Sequence, residues 1–157
     1  MDLLANTPLM AAITGIIFAQ LIKVPIRLIF TKEFIPSLVF STGGMPSSHT
    51  AAVTALTTSI GLIDGFDSTL FAASFIFSVI IMFDASGVRR QAGKHAELLN
   101  ELVQDVQYFV DEARDWHKKE TYEKRQELKE LLGHKPIEVF FGAITGIIIG
   151  LLYFHYM

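Results

Sequence analysis

The chain has 157 residues, enough for one domain, and 51% of them are hydrophobic; its mean hydropathy of +0.42 is high for a soluble protein. Cysteine is absent, which excludes disulfides and thiolate sites. The net charge of −3 hides a local asymmetry, with most charges between Arg89 and Lys135, and nothing in it points to a nucleic-acid partner.

In chain order, the first apolar segment covers residues 9–22 and continues through Lys23 and Arg27 to Phe30. No basic n-region or small-residue cleavage site accompanies it, so no cleavable signal peptide is expected. A charge inside an apolar run is expensive, so Lys23 is expected to face a bundle interior or to snorkel to the interface. Gly43-Gly44-Met45-Pro46-Ser47-Ser48-His49 then leads into the second apolar segment, 51–63. A short link without Lys or Arg, Asp64-Gly65-Phe66-Asp67, precedes the third, 70–83. Asp84-Ala85-Ser86-Gly87-Val88-Arg89-Arg90 closes that segment. Residues 92–132 are charged, with Leu99, Leu102, Val106, Phe109, Val110 and Ala113 at helical spacing. They read as an amphipathic helical insertion that packs on a bundle or dips Phe109 and Trp116 into a headgroup region. Gly133-His134-Lys135-Pro136-Ile137-Glu138 opens the last and longest segment, 137–156. A membrane span needs about 20 residues. The first and last segments reach that length, and the middle two need their flanking Ser, Thr and Gly to do so.

These features predict an all-α integral membrane bundle of about four transmembrane helices, one domain over 1–157 with a cytoplasmic insertion at 92–132. The positive-inside rule puts both termini outside and the basic connections in the cytoplasm. Lys23, Arg27 and the two histidine motifs then converge on the cytoplasmic face, together with 84–90.

The two histidine motifs carry the chemistry. A helix N-terminus presents unpaired N–H groups and a partial positive charge, a natural seat for phosphate. His134 and Glu138 are four apart and share a helix face. A carboxylate on one imidazole nitrogen leaves the other as a nucleophile or base; the alternative is a helix cap with a first-turn acid. Gly142, Gly146 and Gly150 continue that stripe, and Ala11, Gly15 and Ala19 form another on the first segment. Such small-residue faces let helices approach closely and offer a route to self-association. His49, expected one turn into its helix after Ser47 or Ser48 as cap, is placed to give a proton to a leaving oxygen. Gly44 lets a loop approach an anion. Arg89 and Arg90 offer planar donors for phosphate oxygens, but point about 100° apart on a helix, so one of them is expected to face the site.

GGMPSSH, DASGVRRQAG and LKELLGHKPIEV, in this order, resemble the divergent branch of the type 2 phosphatidic acid phosphatase superfamily, relatives of acid phosphatases and vanadium-dependent haloperoxidases. The superfamily carries KxxxxxxRP, PSGH and SRxxxxxHxxxD. Pro46-Ser47-Ser48-His49 matches the second block with serine for glycine, and His134 to Glu138 matches HxxxD with glutamate for aspartate. The resemblance implies that His134 takes the phosphoryl group, Glu138 orients it and His49 protonates the leaving oxygen. The usual clamp is altered, since Lys23 has no RP pair after it and Leu128 stands six before His134. Arg27, Arg89, Arg90 or Lys129 would have to replace it. The superfamily core usually has six helices, so four spans leave room for a second subunit.

The expected function is metal-independent hydrolysis of a lipid phosphate monoester or diphosphate through a phosphohistidine, with no cofactor. Two alternatives stand beside it. His49, Asp84, His134 and Glu138 would form a two-histidine, two-carboxylate metal site, or the fold serves a non-enzymatic carrier or headgroup-binding protein.

Overall fold

The structure is a computed structural model, and it describes residues 3–114 and 133–156. Among them there is no strand. A 3-10 turn, Leu3–Ala5, precedes α1, Thr7–Thr31. Asn6 caps α1 by accepting from the Leu9 N–H at 3.1 Å, and Lys32 ends it in a left-handed conformation. A second 3-10 turn, Pro36–Phe40, leads to α2, Ser48–Asp64; α3, Thr69–Ser86, and α4, Val88–Arg114, follow, and α5 is Pro136–His155.

Three stretches of the described residues are long and apolar enough to cross a membrane: Thr7–Thr31, Thr69–Val110 (which joins α3 to α4) and Pro136–His155. The fourth segment expected to span, α2, has 17 residues, a length of about 25 Å. It is the centre of the bundle, packed by α1, α3 and α5. Its composition explains why. Ala51, Ala55, Thr50, Thr54, Thr57 and Ser59 are all buried, and small side chains let three neighbours approach one backbone.

The large apolar side chains point the other way. Ile16, Ile17, Phe18 and Leu21 of α1, Ile76, Phe77 and Ile80 of α3, and Ile144, Ile148 and Leu152 of α5 are exposed. A soluble domain of this size would bury such residues. Small and hydroxylated residues inside with branched and aromatic residues outside is the arrangement a bilayer demands.

Both small-residue stripes lie on α2. Gly142 faces Ser47 and Thr50, Gly146 faces Ala51 and Thr54, and Gly150 faces Ala55 and Thr58. The contacts advance in step, so α2 and α5 run parallel with their N-termini side by side. A Cβ at Gly146 would overlap Thr54 Oγ1 and the Ala51 carbonyl. On the other side α1 turns Thr7, Ala11, Gly15, Ala19 and Lys23 inward, with Gly15 against the Ala51 carbonyl. The faces from which self-association was expected are therefore covered within one chain.

The helix that enters the charged stretch starts at Val88. Only Gly87 separates α3 from α4, and its N–H still donates to the Phe83 carbonyl at 2.8 Å. Among the described elements the backbone of α4 packs on that of α3 alone, and Leu99, Leu102, Val106 and Phe109 stay exposed on it. The remainder of the expected insertion, with Trp116, Leu128 and Lys129, lies outside the described residues.

Candidate active site

The parallel start of α2 and α5 builds the site. The Ser47 N–H donates to the Glu138 carbonyl at 2.9 Å, and the His134 N–H donates to the Ala85 carbonyl of α3 at 2.9 Å. Gly133 makes the second contact possible. It has φ +91°, and a Cβ there would run into the Arg89–Arg90 backbone. The segments at 43–49, 84–90 and 133–138 are thus tied together at one end of the bundle, the convergence that topology predicted.

His134 is 1% exposed, and its Nδ1 lies 3.2 Å from Glu138 Oε2. A carboxylate oxygen can only accept, so Nδ1 is the donor, and in the neutral ring the lone pair falls on Nε2. The same Oε2 accepts from the Lys135 N–H at 3.1 Å. Glu138 is thus the first-turn acid of α5 and the partner of His134 at once, whereas the cap position expected for His134 is held by Lys135.

His49 is the second residue of α2 rather than a turn further in, because the helix starts at Ser48. Ser47 is the cap. Its Oγ accepts from the Thr50 N–H at 3.3 Å and from Thr50 Oγ1 at 3.0 Å, and the residue is fully buried. Arg89 reaches His49 from α4, with Nη1 3.4 Å from Nε2. Guanidinium only donates, so Nε2 accepts and the His49 proton sits on Nδ1. Asp84 aims the arginine by accepting from Nε at 2.6 Å. The two imidazoles meet edge-on with centroids 6.0 Å apart. Among the described residues, His134 Nε2 and His49 Nδ1 are buried without a hydrogen-bond partner.

The remaining expected residues divide into two groups. Lys23 is 2% exposed, facing the interior, and its Nζ donates to the Ser41 carbonyl at 3.0 Å. Gly44, with φ +89°, lies against its side chain. Both line a cavity of about 500 Å³ with Arg27, Ser41, Lys135 and Glu138, on the α1 side of the histidine pair. Arg27 is paired with Glu33 at 2.7 Å. Ser48 is buried at the start of α2. Arg90 is not part of the His49–Asp84–Arg89 cluster, as expected for one of two adjacent arginines. No group of three or more His, Asp or Glu among the described residues is placed to hold a metal ion.

Sequence reasoning did not find the Asp84–Arg89 pair acting on His49, nor the Ser41 and Ala85 carbonyls. The spacing of Asp84 and Arg89 around Gly87 was the available signal.

The fold and site define a class, a helical membrane bundle whose two parallel helix starts join a carboxylate-held histidine to an arginine-held one. The chain belongs to the Divergent PAP2 family, whose family model matches residues 4–149. It is 59% identical over 152 residues to the uncharacterized membrane protein YuiD of Bacillus subtilis (strain 168), an overlap covering 97% of this chain and 96% of that one. The family expected from the three sequence blocks is the family found. No solved structure matches the chain.

Proposed function

We propose that this protein is a membrane phosphatase that hydrolyses a lipid phosphate monoester or diphosphate through a phosphohistidine on His134. The observation that carries the reading is the complementary state of the two imidazoles. His134 Nε2 and His49 Nδ1 are both buried without a partner in adjacent rings, and the groups on their far nitrogens make the first the lone-pair end and the second the proton end of a neutral pair.

His134 Nε2 attacks phosphorus, the N–P bond forms, and the bond from phosphorus to the leaving oxygen breaks. Glu138 stabilises the charge that develops on the ring. Arg89, drawn from His49 to the phosphate oxygens, replaces the clamp missing from the superfamily pattern, and Lys23 supplies a second cation. Released from the arginine, His49 takes a proton on Nε2 from water in the α1-side cavity and gives the one on Nδ1 to the leaving oxygen. Water then loses a proton to His49 Nδ1 and attacks the phosphohistidine. The N–P bond breaks, phosphate leaves, His49 returns its Nε2 proton to water as Arg89 comes back to it, and His134 is free again. The α1-side cavity, with Lys23, Arg27 and Lys135 around it, serves as the route for water and released phosphate.

The site lies on the cytoplasmic face in this reading, supported by the basic residues near it. Cysteine is absent, so single cysteines report orientation cleanly. An impermeant thiol reagent on intact cells labels Asp67→Cys and leaves Glu97→Cys unlabelled; the reverse moves the site to the outer face.

The test of the chemistry is phosphate release from a panel of lipid phosphates and diphosphates by purified protein in detergent. Activity persists in excess EDTA, and vanadate, which takes the five-coordinate geometry of the transition state, inhibits on the order of 10²-fold more strongly than phosphate. Activity that vanishes with EDTA and returns with a divalent ion assigns the site to metal-bound hydroxide instead. Vanadate binding without hydrolysis of any panel member assigns the fold to a non-enzymatic headgroup binder.

A further inference from the structure

A second opening lies further along α2 from the histidine pair, on the side away from α1. α3 and α5 both lie on α2 and scarcely touch each other. The gap between them is a cavity of about 340 Å³, floored by Thr54, Thr57 and Thr58 and walled by Phe75 and Met82 of α3 and Ile147 of α5. Its lining is almost wholly apolar, and the Thr54, Thr57 and Ser78 hydroxyls are occupied. Thr57 Oγ1 lies 2.8 Å from Ser78 Oγ, Ser78 Oγ donates to the Val53 carbonyl at 3.0 Å, and Thr54 Oγ1 donates to the Thr50 carbonyl at 2.8 Å.

The groove is also aligned with the chemistry. Thr54, at its inner end, lies five residues beyond His49 on the same helix, a rise of about 7.5 Å. Leu62, towards its outer end, is eight residues further, a further rise of about 12 Å. Met82 is seven residues before Arg89. A carbon-lined track thus begins one to two turns above the Arg89, His49 and His134 cluster and runs outward through the bundle.

We propose that the α3–α5 groove seats the hydrocarbon chain of an anionic amphiphile whose phosphate lies at Arg89, His49 and His134. The proposal rests on the phosphatase reading for its phosphate end and deepens it by assigning the chain to this side of the molecule. Charge complementarity supports it, with cationic and imidazole groups at the inner end and only apolar surface above them. A helix from a second copy fits less well. Close helix packing in bilayers uses small residues and free polar groups, whereas this opening is rimmed by Phe66, Phe75, Ile147 and Leu151. The α1-side cavity is the wrong medium for a chain, because Lys23, Arg27, Lys135 and Glu138 line it.

The experiment uses the full chain in phosphatidylcholine vesicles with hexadecyl phosphate carrying a mid-chain diazirine. After photolysis, adducts mapped by mass spectrometry fall on Phe75, Ile147 or Leu151. Unlabelled hexadecyl phosphate competes them away, and hexadecanol, which lacks the anion, does not. Adducts on Ile26, Phe30 or Leu38 overturn the proposal, as do adducts spread evenly over lipid-facing Ile13, Ile17 and Phe77, or a disulfide dimer formed through Phe75→Cys. As a second readout, Ile147→Trp fills the groove and lowers the ratio of hexadecyl to butyl phosphate turnover about tenfold; an unaltered ratio counts against the groove. Labelling needs no turnover, so the two readings fail separately. Competed groove adducts without hydrolysis sink the phosphatase and keep the groove, and hydrolysis with adducts elsewhere does the opposite.

Discussion

The starts of α2 and α5 are alike in plan and opposite in chemistry. Each has a proline, each has a histidine, and the two helices leave the same layer in parallel register. At α5 the histidine precedes the proline and meets a carboxylate, which fixes a lone pair on Nε2. At α2 the histidine follows the cap and meets a guanidinium, which holds a proton on Nδ1. The capping also differs: a serine caps α2, whereas the carboxylate that orients His134 caps α5. The lesson is that an imidazole's role is set by the group on its far nitrogen, and a motif that contains only the histidine does not state it.

The largest predicted effect comes from removing the lone pair. His134→Ala loses at least about 10⁴-fold in phosphate release, the order seen when the nucleophile is taken from a cooperating set, and the loss is the same for every substrate. His49→Ala loses roughly 10²–10⁴-fold with alkyl phosphates. Most of that loss disappears with an aryl phosphate, whose leaving oxygen needs no proton. If both variants respond alike to the leaving group, the division of labour between the two helix starts is wrong.

Next in size is the carboxylate. Glu138→Gln keeps an oxygen that accepts from His134 Nδ1 and the Lys135 N–H, and removes only the charge. Turnover falls on the order of 10²-fold, less than for a carboxylate whose loss also misplaces the imidazole proton. Wild-type turnover in this variant would reduce Glu138 to a cap. Arg89→Lys is milder. A lysine keeps the charge and loses the planar fork that serves Asp84 and phosphate together, so KM for a lipid phosphate rises about tenfold with a smaller change in kcat.

Much of this was legible in the sequence, for identifiable reasons. The start of α5 at Pro136 follows from a residue that belongs in the first turn of a helix, and the shared face of His134 and Glu138 follows from their spacing. Convergence of three distant segments followed from counting spans and basic residues. What stayed hidden depends on tertiary distance. Arg89 and His49 are 40 residues apart, and nothing local says that the start of α4 lies beside the start of α2. The central place of α2 was also missed, although its Ala, Thr and Ser content was in view. Shortness read as a marginal span, whereas small and hydroxylated residues in a bilayer mark the helix that the others enclose. The small-residue stripes were recognised, and their partner, α2, was not.

The smallest effect sharpens the contrast in capping. Ser47 was a candidate for phosphate binding, but its Oγ accepts from both the Thr50 N–H and the Thr50 hydroxyl in a fully buried setting. Replacing such a cap by alanine costs about 1 kcal/mol, which for a chain of this size lowers the thermal midpoint by roughly 2–4 °C. Ser47→Ala therefore unfolds earlier in a detergent melt, while its turnover per folded molecule falls by less than about tenfold, well short of the Glu138→Gln loss. That difference exists because α2 separates capping from chemistry and α5 joins them in one carboxylate. A Ser47→Ala protein with an unchanged melt and a hundredfold loss of turnover would return the serine to the phosphate, and the two helix starts would then be chemically alike.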